Sequence, residues 1–174
     1  MAEQLVFLSF LLLSYFYSAK PIRFKAIPFL DFASNVLYVM PGILGYYQAS
    51  GSFPPILLVL SGFAHTSAMH LFSAIPDIKY DKKAGITTTA VLLKKKLSLL
   101  ICFTFWLTLS IIVVFLSNYN PLSLLVFIYP IIPLALLIKK QLKVEKIYWY
   151  YPYINTSLGL GLGFLFVSLG VGKI

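Results

Sequence analysis

Apolar stretches separated by short polar or charged segments run along the whole chain. Each stretch is bounded by charged residues or by Pro and Gly turns, and each is much longer than the roughly ten alternating residues of a membrane strand. The pattern predicts an all-α membrane protein with one domain, residues 1–174, that crosses the lipid bilayer six times. The predicted helices cover residues 5–19, 27–49, 54–75, 97–116, 122–138 and 147–171. The first of these is short for a crossing of about 20 residues; either residues 1–4 extend it, or the chain is the C-terminal part of a longer protein, which the motifs below favour.

Composition supports the membrane assignment. Hydrophobic residues make up 60% of the chain and charged residues only 11%, whereas about 25% charged is typical of soluble domains. The single cysteine, Cys102, excludes a disulfide within the chain and a multi-cysteine metal site. Because Cys102 lies within an apolar run, it is predicted to be a buried small hydrophobic residue.

The basic residues are concentrated in alternate loops. Thirteen of the 14 lie in residues 20–26, 76–96 and 139–146, and the connections at 50–53 and 118–121 carry none. The positive-inside rule therefore places the three basic loops in the cytoplasm and both termini outside the cell membrane. The net charge of +9 is explained by this orientation, so nucleic acid is not expected as a partner.

Two of the five acidic residues form the clearest candidate for chemistry. Asp77 and Asp81 lie four positions apart at the cytoplasmic end of the third predicted helix, so both carboxylates face the same way if the helix continues past Pro76. Two such ligands suit Mg²⁺, which fills its shell with water and substrate phosphate, and nearby lysines could neutralise phosphate oxygens. The alternative is a solvated loop in which the aspartates merely pair with lysines.

At this point the sequence resembles a known family. Asp77 and Asp81, followed by Gly85 and the segment Ile86 to Ala90, are similar to the second aspartate-rich motif of the UbiA superfamily of intramembrane prenyltransferases. The basic segment 17–25 resembles the loop after the fourth helix of that family. The segments most similar to the lycopene elongase branch are 28–31, 37–42 and 69–77.

The resemblance implies a function and a set of roles. Superfamily members have nine helices and transfer an isoprenyl group from an allylic diphosphate to a lipophilic acceptor such as a carotenoid, a quinone precursor or a lipid. Asp77 and Asp81 would then be catalytic ligands of Mg²⁺ and diphosphate. The candidates for direct diphosphate contact are Lys79, Lys82, Arg23 and Lys25.

The resemblance covers helices four to nine of the family, so the domain is expected to be incomplete relative to it. The first aspartate-rich motif is not found in residues 1–174, and Glu3 is the only acidic residue before Tyr15. We therefore expect little or no activity from this chain alone. One alternative is a two-polypeptide enzyme whose other chain carries the first motif. A second alternative is a non-catalytic membrane scaffold or transporter that retains the fold.

Several polar residues within the apolar stretches are candidates for the substrate cavity. His70 lies seven residues before Asp77, on roughly the same helix face, where it could position substrate or relay a proton; a helix–helix hydrogen bond is the alternative. Asn35 and Tyr17 are further candidates. Asp31, one turn from Asn35, is either functional or paired with Lys20 or Lys25 at the interface.

Three other patterns are interpreted as structural. Glycines at 159, 161 and 163 lie within a predicted membrane helix and follow no strand, so they favour close helix packing over a dinucleotide site. The glycosylation-like sequence 155–157 lies in the same apolar stretch. The segment 87–89, three consecutive threonines, is predicted to form a turn and a helix start.

Overall fold

In the computed structural model, residues 2–139 and 141–168 are described, with side chains at 3–139 and 141–161. All regular structure in these residues is helical, as predicted. Along these described residues the α-helices are α1 (Ala2–Ser18), α2 (Leu30–Ala33), α3 (Met40–Ser50), α4 (Ile56–Ala74), α5 (Ile78–Lys83), α6 (Thr89–Leu116), α7 (Ile128–Ile138), α8 (Val144–Tyr148) and α9 (Tyr151–Ser168). Three 3₁₀ segments connect them, at Phe24–Ala26, Ser34–Tyr38 and Pro121–Phe127. Lys140, in a predicted basic loop, and residues 169–171, at the end of the last predicted helix, lie outside the described residues.

Three helical segments of the described residues are long and apolar enough to cross a membrane. They are Ile56–Ala74, Thr89–Leu116 and Pro121–Ile138, and a shorter apolar helix covers Glu3–Ser18. The first and third agree closely with the predicted helices over 54–75 and 122–138. The second begins earlier than the predicted 97–116, and a break at Lys94, with φ 61° and ψ 170°, separates its first five residues from the rest of the helix. The count of six crossings stays a prediction.

The segment 27–49, predicted as one helix, is divided in the structure. Phe29 has a positive φ of 68° before the four-residue helix α2, a 3₁₀ segment follows, and α3 begins only at Met40. The Ser34 hydroxyl and the Asn35 amide donate to the carbonyls of Leu30 and Asp31. Side chains that bond to nearby backbone compete with helical hydrogen bonding. The apolar pattern could not predict this break because the apolar residues continue across it.

Helix α6 lies at the centre of the fold, where it packs against α4 on one side and α7 on the other. Small residues line its contact with α4: Ala68 and Cys102 are fully buried, and the Cys102 thiol donates to the Ala68 carbonyl at 3.6 Å. Cys102 is therefore buried as predicted. Small side chains at this crossing allow the two helix backbones to approach closely.

A stack of aromatic rings joins four helices in the core. Trp106 of α6 packs against Tyr151 of α9, with ring centroids 5.3 Å apart, and against Tyr129 of α7 at 5.9 Å, and the two tyrosine rings are 6.5 Å from each other. Phe72 of α4 packs against Tyr151 at 4.9 Å. All four rings are buried, and ring pairs at such separations add to the stability gained from burial alone. The stack therefore fixes α9 against α4, and the cavity described below lies between these two helices.

A candidate active site at one end of the helical bundle

Asp77 and Asp81 are one helical turn apart, but on a separate short helix. Helix α4 ends at Ala74, where Pro76 has no N–H to continue its hydrogen-bond ladder. Asp77 is the residue before α5, and the Asp81 amide donates to the Asp77 carbonyl at 2.8 Å. The spacing expected from the sequence is thus produced by α5, not by a continuation of α4. Asp77 is exposed and Asp81 half-buried.

A cavity of about 750 Å³, here called cavity A, opens beside Asp77. It lies between the end of α4 and the segment that contains α8 and the start of α9. Its lining combines two carboxylates with aromatic and apolar side chains: Met69, Ser73, Pro76, Asp77, Glu145, Tyr148, Trp149, Tyr151, Pro152 and Asn155. A ligand could therefore place its polar group near Asp77 and its apolar part inside the cavity.

A second cavity of about 320 Å³, cavity B, adjoins cavity A deeper along α4. Met69, Ser73 and Tyr148 line both. The other residues around cavity B are Tyr17, Asn35, Tyr38, His65, Thr66 and His70. The structure thus brings together at one cavity the three residues that the sequence analysis selected for a substrate cavity.

These three residues form a polar cluster in cavity B. The Tyr17 hydroxyl lies 3.5 Å from Nδ1 of His70, and the two rings meet edge to face. Asn35 lies beside the Tyr17 hydroxyl and is itself held by its amide, which donates to the Asp31 carbonyl at 2.6 Å. His70 therefore makes a contact between α1 and α4 and also lines a cavity, and its role toward a substrate or a proton stays a prediction.

Asp31 connects the divided segment to the start of α6. The carboxylate is fully buried and accepts from the Thr89 amide at 2.7 Å and from the Thr89 hydroxyl at 2.5 Å. It also accepts from the Phe32 amide at 2.9 Å. A carboxylate at a helix N-terminus is stabilised by the helix dipole and by charge-assisted hydrogen bonds. Its carboxylate partners are therefore Thr89 and the Phe32 amide, rather than the lysines at 20 and 25.

The neighbouring threonine extends this connection to the acidic pair. Thr88 caps α6, where its hydroxyl oxygen accepts from the Val91 amide at 3.4 Å. The same hydroxyl donates to Asp81 at 3.3 Å. The predicted helix start at the three threonines is therefore confirmed. The two adjacent threonines tie Asp81 to the buried Asp31 through one rigid helix end.

The four basic residues predicted to bind diphosphate lie on two segments. Lys79 and Lys82 are exposed on α5, and Arg23 and Lys25 are half-buried at the 3₁₀ segment after α1. Within the described part of the chain, the linings of cavities A and B include none of them. Their role in diphosphate binding stays a prediction.

Cavity A also contains residues that the sequence analysis did not select. Glu145 and Trp149 belong to the segment around α8, and Tyr151 and Asn155 belong to α9. Tyr151 is fully buried among the aromatic rings of the core. Asn155 accepts from the Tyr129 hydroxyl at 2.7 Å. The only sequence signal for this wall was the unusual density of tyrosine and tryptophan.

Fold and site together define a class: a helical membrane protein with an acidic pair, one member of which, Asp77, lines an aromatic cavity. A comparison with models of protein families then identifies the family. The UbiA prenyltransferase family matches residues 2–150. The chain belongs to this family, and it is an integral membrane protein.

Curated relatives agree with the branch suggested by the sequence. The chain is 42% identical over 144 residues to a lycopene elongase/hydratase of Haloferax volcanii, covering 83% of this chain and 47% of that protein. It is 43% identical over 144 residues to one of Halobacterium salinarum, covering 83% and 51%. The resemblance drawn from the motifs is thus confirmed. The chain spans about half the length of these curated relatives.

A solved structure shares the fold. It is that of a UbiA homolog from Archaeoglobus fulgidus bound to GPP and Mg²⁺, with a TM-score of 0.61 and 23% sequence identity. The match covers 97% of this chain and 63% of that one. The two proteins therefore share a helical arrangement over nearly all of the present chain.

Proposed function

We propose that this chain supplies the second aspartate motif and the substrate cavity of a Mg²⁺-dependent membrane prenyltransferase. The enzyme would transfer an isoprenyl group from an allylic diphosphate to a long polyene acceptor of the lycopene type. One observation carries the proposal: Asp77 stands at the mouth of a 750 Å³ aromatic cavity in a chain that is 42% identical to a lycopene elongase/hydratase. The test is transfer of a labelled prenyl group to lycopene, described in the Discussion.

The acidic pair suits Mg²⁺ held jointly with a diphosphate. Among the described residues, no group of three or more His, Cys, Asp or Glu side chains could enclose a metal ion. Mg²⁺ does not need such a cage, because one or two carboxylates with water and substrate phosphate complete its shell. Asp77 and Asp81 would hold the ion, which would supply charge neutralisation for the leaving diphosphate.

The chain's other residues would bind the diphosphate and shield the reacting carbons. Lys79 and Lys82 lie on α5 with Asp81, and we propose that they, with Arg23 and Lys25, contact phosphate oxygens. Departure of the diphosphate leaves an allylic cation, which requires an environment that excludes bulk water. The aromatic wall at Tyr148 and Trp149 would provide it, and ring faces also stabilise positive charge.

The shape of the cavities supports a long, linear acceptor. A third cavity of about 350 Å³, cavity C, adjoins cavity B, and His65 and Thr66 line both. Its lining reaches Leu58 near the start of α4. The three cavities thus follow α4 from Asp77 to Leu58, roughly 28 Å at about 1.5 Å per residue. Such a path suits an extended polyene better than the compact ring of a quinone precursor.

The contact between Thr88 and Asp81 yields a first prediction. Thr88→Val removes the hydroxyl that donates to Asp81, so Asp81 would no longer be held in position for the metal. Loss of such a supporting hydrogen bond commonly weakens metal binding by about tenfold or more. We expect the Mg²⁺ concentration for half-maximal transfer to rise by about tenfold, as measured by titrating Mg²⁺ in the transfer assay.

Thr88→Ser is the matched control, because it keeps both the hydroxyl and the helix cap. It should require nearly the same Mg²⁺ concentration as the unchanged protein. Equal Mg²⁺ requirements for the valine and serine variants would show that Thr88 does not position Asp81.

The orientation in the membrane yields a second prediction. We propose that residues 20–26, 76–96 and 139–146 face the cytoplasm, because they hold 13 of the 14 basic residues. Cysteines placed at Ser50 and Asn118, both exposed, should then react with a membrane-impermeant thiol reagent added outside intact cells. The native Cys102 is buried and serves as the unlabelled background. Labelling of the two sites only after permeabilisation would show that the orientation is the reverse of the proposed one.

A further inference from the structure

We infer that the polar cluster of Tyr17, Asn35 and His70 in cavity B binds a water molecule and takes up its proton in the step that ends the reaction. This inference rests on the proposed function, because it assigns a fate to the cation that prenyl transfer creates. The relatives are named elongase/hydratase, so the addition of water itself is expected from them; the inference assigns the residues that hold the water and accept its proton, and it concerns which product forms, not whether the prenyl group is transferred.

The first support is the contrast between cavity B and its surroundings. Cavity A combines two carboxylates with aromatic and apolar side chains, and cavity C is lined mostly by aliphatic and aromatic side chains. Cavity B brings a phenol, an amide and an imidazole together. A polar group inside a membrane bundle is costly and is expected to serve a function, and three adjoining groups could hold one water molecule.

The second support is the arrangement of the hydrogen-bonding groups. Nδ1 of His70 lies 3.5 Å from the Tyr17 oxygen, so that nitrogen has a partner and Nε2 is the one left for a ligand. Asn35 is fixed by its bond to the Asp31 carbonyl and is almost fully buried. In the inferred step Nδ1–H donates to the Tyr17 oxygen, and the Nε2 lone pair accepts a proton from water. Tyr17 then stabilises the imidazolium that forms.

The third support is the depth of the cluster. His70 precedes Asp77 by seven residues, which is about 10 Å along a helix. The diphosphate held at Asp77 and Asp81 lies at one end of the reacting chain, and the new positive charge appears a few bonds away from it. Cavity B therefore lies at the depth where that charge develops, because His70 is about two helix turns from Asp77.

The chemistry balances with water as the only co-reactant. The allylic cation forms a carbon–carbon bond with one carbon of the acceptor's terminal double bond, and the positive charge moves to the neighbouring tertiary carbon. The oxygen of the bound water forms a bond with that carbon, and one of its protons passes to Nε2 of His70. The product is a tertiary alcohol. If no water is held there, loss of a proton from an adjacent carbon gives an alkene instead.

His65 is the nearest competitor for this role. It also lines cavity B, but its ring packs edge to face on Tyr129 with centroids 4.9 Å apart, and its Nδ1 is buried without a hydrogen-bond partner. An imidazole without a partner for its second nitrogen has no group to stabilise the charge it would gain on accepting a proton. The pair of His70 and Tyr17 is therefore the better proton acceptor.

The test measures the ratio of hydroxylated to alkene products. The chain is co-expressed in lycopene-producing membranes with a polypeptide that carries the family's first aspartate-rich motif, and products from labelled dimethylallyl diphosphate are separated in ¹⁸O-enriched water. We expect His70→Leu to lower the hydroxylated fraction by about tenfold or more, with total transfer within about threefold. Tyr17→Phe should lower the fraction less. Thr108→Val, which removes an α6 hydroxyl that bonds within its own helix outside cavities A, B and C, is the control and should leave the ratio unchanged.

The outcomes separate this inference from the proposed function. A fall in the ¹⁸O-labelled alcohol with a matching rise in alkene supports it. An unchanged ratio in His70→Leu, with transfer intact, overturns it. So does loss of all transfer in both His70→Leu and Tyr17→Phe when both variants insert normally, since the cluster would then serve binding or ionisation. Absence of any transfer by the unchanged protein would instead contradict the proposed function itself.

Discussion

Replacing either aspartate of the acidic pair by asparagine is expected to reduce prenyl transfer about a hundredfold or more. Asp77, which precedes α5 and lines cavity A, lies one turn from Asp81 on α5, and in the proposed function both are the chain's Mg²⁺ ligands. Loss of a ligand withdraws stabilisation from the leaving diphosphate, and each factor of ten in rate corresponds to about 1.36 kcal/mol of barrier. The measurement is the initial rate of transfer by membranes that contain each variant in equal amount.

Two controls make this result specific. Glu3→Gln removes a carboxylate from α1, outside cavities A and B, and should leave the rate unchanged. Asp77→Glu keeps a carboxylate and should retain more activity than Asp77→Asn. If both Asp77→Asn and Asp81→Asn have rates near that of the unchanged protein, the acidic pair does not bind the Mg²⁺ that the reaction needs.

The second large effect concerns the need for a complementing polypeptide. We expect no measurable transfer from residues 1–174 alone and clear transfer when they are combined with a polypeptide that carries the first aspartate-rich motif. The chain spans about half the length of its curated relatives, and Asp77 and Asp81 would be only part of the charge needed to hold Mg²⁺ and diphosphate. The measurement compares the reconstituted chain with and without that polypeptide.

A mutated partner makes the comparison decisive. A complementing polypeptide whose first motif has its aspartates replaced by asparagine should restore little activity. Turnover by residues 1–174 alone would contradict the expectation and would require all metal ligands to be found among Asp31, Asp77, Asp81 and Glu145.

The sequence predicted the family and the helical class correctly because both depend on local patterns. Charge-free apolar stretches specify membrane helices, and the spacing of Asp77 and Asp81 carries the family motif. The break within residues 27–49 could not be predicted in this way. It depends on hydrogen bonds from Ser34 and Asn35 to nearby carbonyls and on Thr89, which is far away in the chain.

The site was predicted only in part, for a related physical reason. The sequence could place His70 on the same face as Asp77, because both belong to or directly follow α4. It could not show that Tyr17 and Asn35 meet His70 in cavity B, because these contacts join distant segments. Nor could it show that Glu145 and Asn155 line cavity A, since α9 is positioned by the aromatic stack through Tyr151.

The most direct measurement is the fate of a labelled prenyl group. Membranes that contain the chain and the complementing polypeptide are incubated with labelled dimethylallyl diphosphate, Mg²⁺ and lycopene, and the carotenoids are extracted and analysed by mass. The account predicts a labelled, lycopene-derived product enlarged by the prenyl unit, which disappears on chelation of Mg²⁺ and in Asp77→Asn. Label that never enters a carotenoid, or that enters it equally with chelator and with Asp77→Asn, would contradict the account.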